Sequence, residues 1–227
     1  MKLALFFLSL ITLNVIAILD PNDVYQKTKL PMTEIVATMR YLDDLERECD
    51  GDWGIYYHVL PRLINEYNLE IGCEIGVSLG SHCKRILETT NVKKLYGIDP
   101  YINYNDPTNV MLSNNKFEIF YLRVVEKLSK FGQRFELIRE YSLNATSHFA
   151  DSQLDFIFLD ANHTYNAVKE DLENWWPKIR PGGIMAGDDY ATRHPGVPQA
   201  VNEFVQKNGL TLLLDKQQPR IWWIVKP

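Results

Sequence analysis

Residues 69–100 read LEIGCEIGVSLGSHCKRILETTNVKKLYGIDP, and the order of features in this stretch decides the fold. The apolar run from Leu69 to Ile75 predicts a buried strand. Gly76-Val-Ser-Leu-Gly80 predicts a tight turn, because glycine lets the backbone bend sharply and approach a ligand closely. Ser81 to Thr89 predicts a helix, and Lys94 to Ile98 a second strand closed by Asp99-Pro100. Strand, glycine turn, helix and strand together make a parallel crossover unit.

The alternation continues toward the C-terminus. Helices are expected over Asn115–Phe131, Ser142–Phe149, Tyr165–Ile179 and Pro198–Lys207, and strands over Phe135–Ile138, Leu154–Leu159 and Ile184–Ala186. Thr211–Leu214 and Ile221–Val225 close the chain as a hairpin, which adds one antiparallel strand. Asn103 to Asn109 reads as a polar loop. The expected fold is α/β, a doubly wound and mostly parallel seven-stranded sheet with helices on both faces. It occupies residues 69–227. Before it, Ile35, Val36, Met39, Leu42 and Leu45 recur at helical spacing over Thr33–Glu48, and a second helix is expected over Gly54–Asn68. Residues 20–68 therefore form a helical extension. Its aromatic stretch Trp53, Tyr56, Tyr57 and His58 is either a lid over a substrate or packing onto the core.

After Met1-Lys2 the run Leu3 to Leu19 carries no charge. It reads as a signal peptide or signal anchor, a membrane tether through residues 3–19, which implies a secreted or membrane-associated protein. The alternative is a cytoplasmic protein with a buried N-terminal helix. Two glycosylation sequons, Asn144-Ala-Thr and Asn162-His-Thr, pull against a glycosylating lumen, since the second falls beside the expected site.

The chain of 227 residues has a formal net charge of −5, which argues against a nucleic-acid partner. Cys49, Cys73 and Cys83 are odd in number and lack CxxC spacing, so neither a zinc site nor a disulfide framework is expected. Ligands of open α/β sheets bind beyond the C-terminal ends of the strands. There this chain places Asp99, Asp160 and Asp188-Asp189. The glycine turn is not GxGxxG, and Asp99 follows it by about 20 residues, where a carboxylate can accept from both ribose hydroxyls. A nucleoside fits this pattern better than a dinucleotide. Asp160 ends an apolar strand with His163 three residues on, and the neighbouring strand ends in Asp188-Asp189. Three crowded carboxylates need a proton or a cation. An all-oxygen set suits Mg2+, although each Asp alone is also a common helix N-cap.

The runs LDFIFLDANHTY (154–165), EDLENWWPKIRPGGIMAGDDY (170–190) and PGVPQAVNEF (195–204) resemble the small-molecule class I methyltransferases that use S-adenosylmethionine (SAM). The resemblance is closest to the bacterial-type methyltransferase domain numbered 24 and spans about Ile71 to Glu203. It implies that Glu74, Gly76 and Gly80 shape the SAM pocket, that Asp99 holds the ribose, and that Ser142 lies near the adenine. It implies that Asp160, Asp188 and Asp189 are similar to the cation ligands of catechol-type and macrolide-sugar O-methyltransferases, or that Asp160 meets the methionine end of SAM. His163 is similar in placement to the general base of the sugar enzymes. Catechol-type enzymes carry Asn where Asp189 stands. The expected activity is O-methylation of a small-molecule or sugar hydroxyl. The rivals are an NAD-dependent oxidoreductase on a related sheet and a SAM-fold protein without chemistry.

Overall fold

A computed structural model describes residues 19–50, 54, 56–103, 114–191 and 193–227. The sheet has seven strands: β1 (Ile71–Ile75), β2 (Lys94–Ile98), β3 (Phe135–Ile138), β4 (Leu154–Leu159), β5 (Ile179–Gly187), β6 (Leu212–Leu214) and β7 (Trp222–Val225). Their spatial order is β3-β2-β1-β4-β5-β7-β6. The first five pair in parallel, and β7 runs antiparallel between β5 and β6. The helices are α1 (Pro21–Thr28), α2 (Met32–Asp50), α3 (Val59–Tyr67), α4 (Ser81–Thr89), α5 (Asn114–Ser129), α6 (Ser142–Ala145), α7 (Tyr165–Trp175) and α8 (Gly196–Asn208).

Strand β4 shows why the sheet must be covered twice. Phe156 and Phe158 point into one apolar core and Ile157 and Leu159 into the other. From Phe156 to Leu159 this period of two, with every position apolar, is what a central parallel strand requires. Helices α1 to α5 cover the first face, and α7 and α8 the second.

Three boundaries depart from the expectation. The chain leaves α7 at Trp175, tightens through a 3-10 turn at Trp176–Lys178, and is already strand at Ile179. Pro177 lacks an N–H and cannot continue the helix. Pro181-Gly182-Gly183 does not separate helix from strand. It sits inside β5, where the register slips between Leu154 opposite Ile179 and Phe156 opposite Ile184, as expected of a bulge. Helix α1 was not anticipated. Asp20 caps it by accepting from the Asn22 N–H at 2.7 Å, and Pro21 occupies its first turn, the ordinary start signals of a helix. The third is α3, which starts at Val59 rather than Gly54; Pro61 lies in its first turn, where no N–H is needed.

Val24, Ile35 and Leu42 of α1 and α2 are fully buried in the same core as Phe156. Arg123 and Lys127 on α5 pair with Glu46 on α2, the latter at 2.6 Å, and Arg123 also meets Asp43. The extension is therefore a layer of the domain. The run Leu3 to Leu19 lies outside the described residues, Leu19 excepted. No described helix is long and apolar enough to cross a membrane. Ile35→Ala should lower the stability of the whole domain by about 2–5 kcal/mol, the usual loss for a buried aliphatic truncation. Urea denaturation followed by tryptophan fluorescence reads this. An unchanged midpoint would mean that the extension docks without sharing the core.

Candidate active site

A cavity of about 710 Å3 opens at the C-terminal ends of β1, β2, β4 and β5. That volume falls within the range of small-molecule sites. Gly76, Asp99, Ser142, Asp160, His163, Asp188 and Asp189 line it; Glu74 and Gly80 do not.

Gly76 sits where β1 and β4 come closest. Its φ is +92°, and a Cβ there would stand 2.0 Å from the carbonyl oxygen of Asp160. Asp99 clasps the turn that follows. One carboxylate oxygen accepts the N–H groups of Val77 (3.1 Å) and Ser78 (3.0 Å), and the other that of Tyr101 (2.8 Å). Burial pushes its pKa above the ordinary value in spite of those bonds. The Tyr101 hydroxyl donates to the Ser78 carbonyl at 3.0 Å. Ser78, Tyr101 and Asp189 all adopt positive φ and all line the cavity. Non-glycine residues in that region cluster where function sets the backbone.

Glu74 turns inward beneath the turn. It takes the His82 Nδ1 at 2.9 Å and the Cys83 thiol at 2.6 Å, so it ties β1 to the first turn of α4. Burial alone would lower the His82 pKa, but Glu74 raises it above the ordinary histidine range. The His82 ring lies between Tyr57 and Phe158, at 5.0 and 4.6 Å. Gly80, with φ +71°, starts α4 against α5. Both residues act below the cavity wall.

Ser142 joins a buried relay. Trp175 Nε1 donates to its hydroxyl at 2.8 Å, and the hydroxyl donates to Asp171. Burial pushes the Asp171 pKa up to about 7.

At the other end, Asp160, Asp188 and Asp189 bring oxygens within 4.8 Å of one another, the convergence expected from strand order. His163 reaches Asp189 at 2.9 Å and Asp160 at 3.7 Å through Nε2, and its ring lies 4.4 Å from that of His194. Burial would lower the His163 pKa, but the two carboxylates raise it to about 10. Arg220, unforeseen in the sequence, donates to Asp188 through Nε (2.5 Å) and to Asp189 through Nη2 (2.6 Å). Asp188 is pushed up to about 7 by burial and by Asp160, against the pull of Arg220. For Asp189, burial is outweighed by His163 and Arg220, and its pKa falls below the ordinary value.

The extension supplies Tyr56 and Tyr57 to the cavity wall, while His58 does not line it and Trp53 lies outside the described residues. Asn144 and Asn162 of the two sequons also line it, so a glycan on either would crowd a ligand.

Asp171 carries a pH signature. Its folded pKa lies above its unfolded value, so its contribution to stability is present in full below pH 4 and is lost as pH rises toward 7. Asp171→Asn should keep the acceptor for Ser142 and remove this loss. Its melting temperature should exceed that of the wild type by a margin that grows from pH 4 to pH 7 and then levels. A margin independent of pH would show that Asp171 does not titrate there.

Residues 69–190 match a family profile described as a methyltransferase domain. An uncharacterized protein, R132, of Acanthamoeba polyphaga mimivirus is 26% identical over 159 residues, covering 66% of this chain and 67% of the viral protein. Protein y4gI of Sinorhizobium fredii, also uncharacterized, is 26% identical over 148 residues, which are 64% of this chain but 15% of that protein. Among solved structures, a candidate caffeoyl-CoA O-methyltransferase from Staphylococcus aureus aligns with a TM-score of 0.61 at 14% identity, over 91% of this chain and 97% of its own. The calicheamicin methyltransferase CalS11 aligns with 0.56 at 17% identity, over 90% and 91%. An O-methyltransferase from Bacillus cereus in complex with SAH aligns with 0.55 at 15% identity, over 76% and 81%. These identities speak to the fold. The family match spans more than half of the chain, which therefore belongs to the methyltransferase domain family of class I SAM-dependent enzymes.

Proposed function

We propose that this chain transfers a methyl group from SAM to a hydroxyl of a small molecule, with a sugar or a catechol-like ring as the leading acceptor classes. The observation that carries the reading is the division of one cavity. Asp99 and Ser142 line the nucleoside end, and an imidazole held between two carboxylates lines the other. CalS11 is described as a TDP-rhamnose 3'-O-methyltransferase, which supports a sugar hydroxyl as one acceptor to test.

The cavity suits SAM in size and in polar groups. SAM supplies an electrophilic methyl on a sulfonium; the chain must align an oxygen with it and exclude water. Asp99 holds the glycine turn in a conformation that its own carboxylate fixes, and its remaining acceptor capacity on the cavity wall takes the ribose hydroxyls. Ser142, anchored by Trp175 and Asp171, meets the adenine. Asp160, at the end of β4, faces the positively charged methionine end. His163 takes the proton of the acceptor hydroxyl as that oxygen bonds to the methyl carbon. Without ligand the imidazole is held protonated by Asp160 and Asp189. The positive charge of SAM bound beside Asp160 offsets that field and favours the neutral, proton-accepting form. Tyr56 and Tyr57 close the cavity from the extension. The place of Asn144 and Asn162 on its wall supports work in a compartment that does not attach N-glycans.

Two variants test the division of labour. Asp99→Ala should weaken SAM binding by about 1.5–3 kcal/mol through the loss of charged hydrogen bonds. Calorimetry reads this, and undiminished affinity in a folded variant would sink the ribose assignment. His163→Ala should lower turnover about a hundred- to ten-thousand-fold, the usual worth of a general base, and leave SAM affinity in place. The assay follows SAH release over a panel of sugars, nucleotide sugars and catechols. A fully active His163→Ala enzyme would remove the imidazole from the mechanism. A wild-type chain that binds NAD and not SAM would overturn the reading as a whole.

A further inference from the structure

Three strand-end carboxylates in one place pose a charge problem that a divalent cation usually solves. The positions of Asp160, Asp188 and Asp189 match that expectation. Both oxygens of Asp189 and one oxygen of Asp188, however, are already engaged. The first oxygen of Asp188 accepts from Arg220 Nε and from the Asp189 N–H, at 2.5 and 2.6 Å. The first oxygen of Asp189 accepts from Arg220 Nη2, and the second forms an ion pair with His163 Nε2 at 2.9 Å. Mg2+ demands near-octahedral oxygen geometry at about 2.0–2.1 Å. To bind Asp188 and Asp189 together it would have to displace the guanidinium from both carboxylates and approach its positive charge. With Arg220 seated on Asp188 and Asp189, the three aspartates do not fit a resident divalent ion.

Arg220 is also built into this place. It lies two residues before β7, and the register that sets Gly187 opposite Trp222 brings residue 220 opposite Asp189. Its carbonyl accepts the Tyr190 N–H at 2.9 Å, which pins its backbone beside the Asp pair. Its guanidinium stacks on Tyr56 of the extension, with the central carbon 4.5 Å from the ring centre. Three independent contacts thus fix the group: a planar fork on two carboxylates, a main-chain bond and an aromatic face. Arginine is the residue suited to such a fork, since it carries its charge at every working pH and presents paired donors in one plane.

We propose that Arg220 is the resident cation of this acidic cluster, standing where a divalent metal is expected, and that methyl transfer by this chain needs no metal. Arg220 is a positioning residue: it holds Asp188 and Asp189 at their spacing, and through Asp189 it sets His163. Its consequence for transfer rests on the proposed activity, but its central claim does not.

Manganese binding tests it directly. The full-length wild-type protein is titrated with Mn2+, with free ion followed by electron paramagnetic resonance and binding heat by calorimetry, without SAM or acceptor. Arg220→Met keeps the length of the stem and removes the charge; Arg220→Gln is the second neutral variant should the first not fold; Arg220→Lys keeps the charge. The wild type and Arg220→Lys are expected to bind no stoichiometric Mn2+ in the micromolar range. The neutral variant is expected to bind one ion, tighter than the wild type by about tenfold or more, as removal of a nearby like charge implies. Transfer by the wild type should survive EDTA, whereas any transfer by the neutral variant should respond to added Mn2+. One tightly bound Mn2+ per wild-type chain would overturn the proposal, and so would neutral variants that gain no Mn2+ binding. Failure of the activity itself shows separately, as absent SAM binding in a protein whose manganese behaviour follows the expectation.

Discussion

The site depends on how closely β1 and β4 approach at their C-terminal ends. Asp160 N–H donates to the Ile75 carbonyl at 2.8 Å, and Gly76 N–H to the Ile98 carbonyl at 2.9 Å. With any side chain at residue 76 the contact with Asp160 would be lost, and the two strands would part where the ligand sits. The approach does two jobs at once. It shapes the cavity wall on the β1–β2 side, and it aims Asp160 toward the acidic pair on the β4–β5 side. On the proposed reading, backbone packing thereby sets the distance between cofactor and acceptor before any side chain takes part.

Charge is the second constraint. The cluster gathers Asp160, Asp188 and Asp189 in a largely buried place, and it is compensated from three elements. Arg220 comes from the approach to β7, His163 from the β4–α7 loop, and His194 lies 3.6 Å from Asp189 ahead of α8. Burial makes unpaired carboxylates costly. The structure answers with opposite charge and, at Asp188, with a raised pKa. His163, Arg220 and His194 keep Asp189 ionised, and Asp189 with Asp160 in turn raises the proton affinity of His163. On the proposed mechanism the imidazole has to lose a proton before it can accept one, and the charge of a bound cofactor would act in that direction.

Much of this was legible in the sequence because it rests on local signals. Apolar runs ending in Asp and the glycines at 76 and 80 specify strand ends and a turn with little help from the rest of the chain. So the sheet, its ligand edge and the meeting of Asp160, Asp188 and Asp189 could be read directly. Arg220 could not. A lone arginine after Gln-Gln-Pro before an apolar strand carries no local message, and its partners lie about thirty positions earlier. Its role appears only once β7 is known to pair with β5 instead of lying outside β6. Glu74, which the resemblance implies shapes the SAM pocket, is drawn beneath the turn by the alternation of β1 and the polar pair His82 and Cys83.

The extension completes the argument, since its two roles cannot be separated. Val24, Ile35 and Leu42 bury the face of the domain that α4 and α5 leave open. Tyr56 and Tyr57, between α2 and α3, line the cavity from the same layer. Tyr57 stacks on His82, which is bound to Glu74 under the glycine turn, and Tyr56 stacks on Arg220 above the acidic pair. One short aromatic pair therefore touches the supports of both halves of the site. A lid hinged freely on the domain would lose these contacts each time it opened. An extension whose helices share the core keeps them.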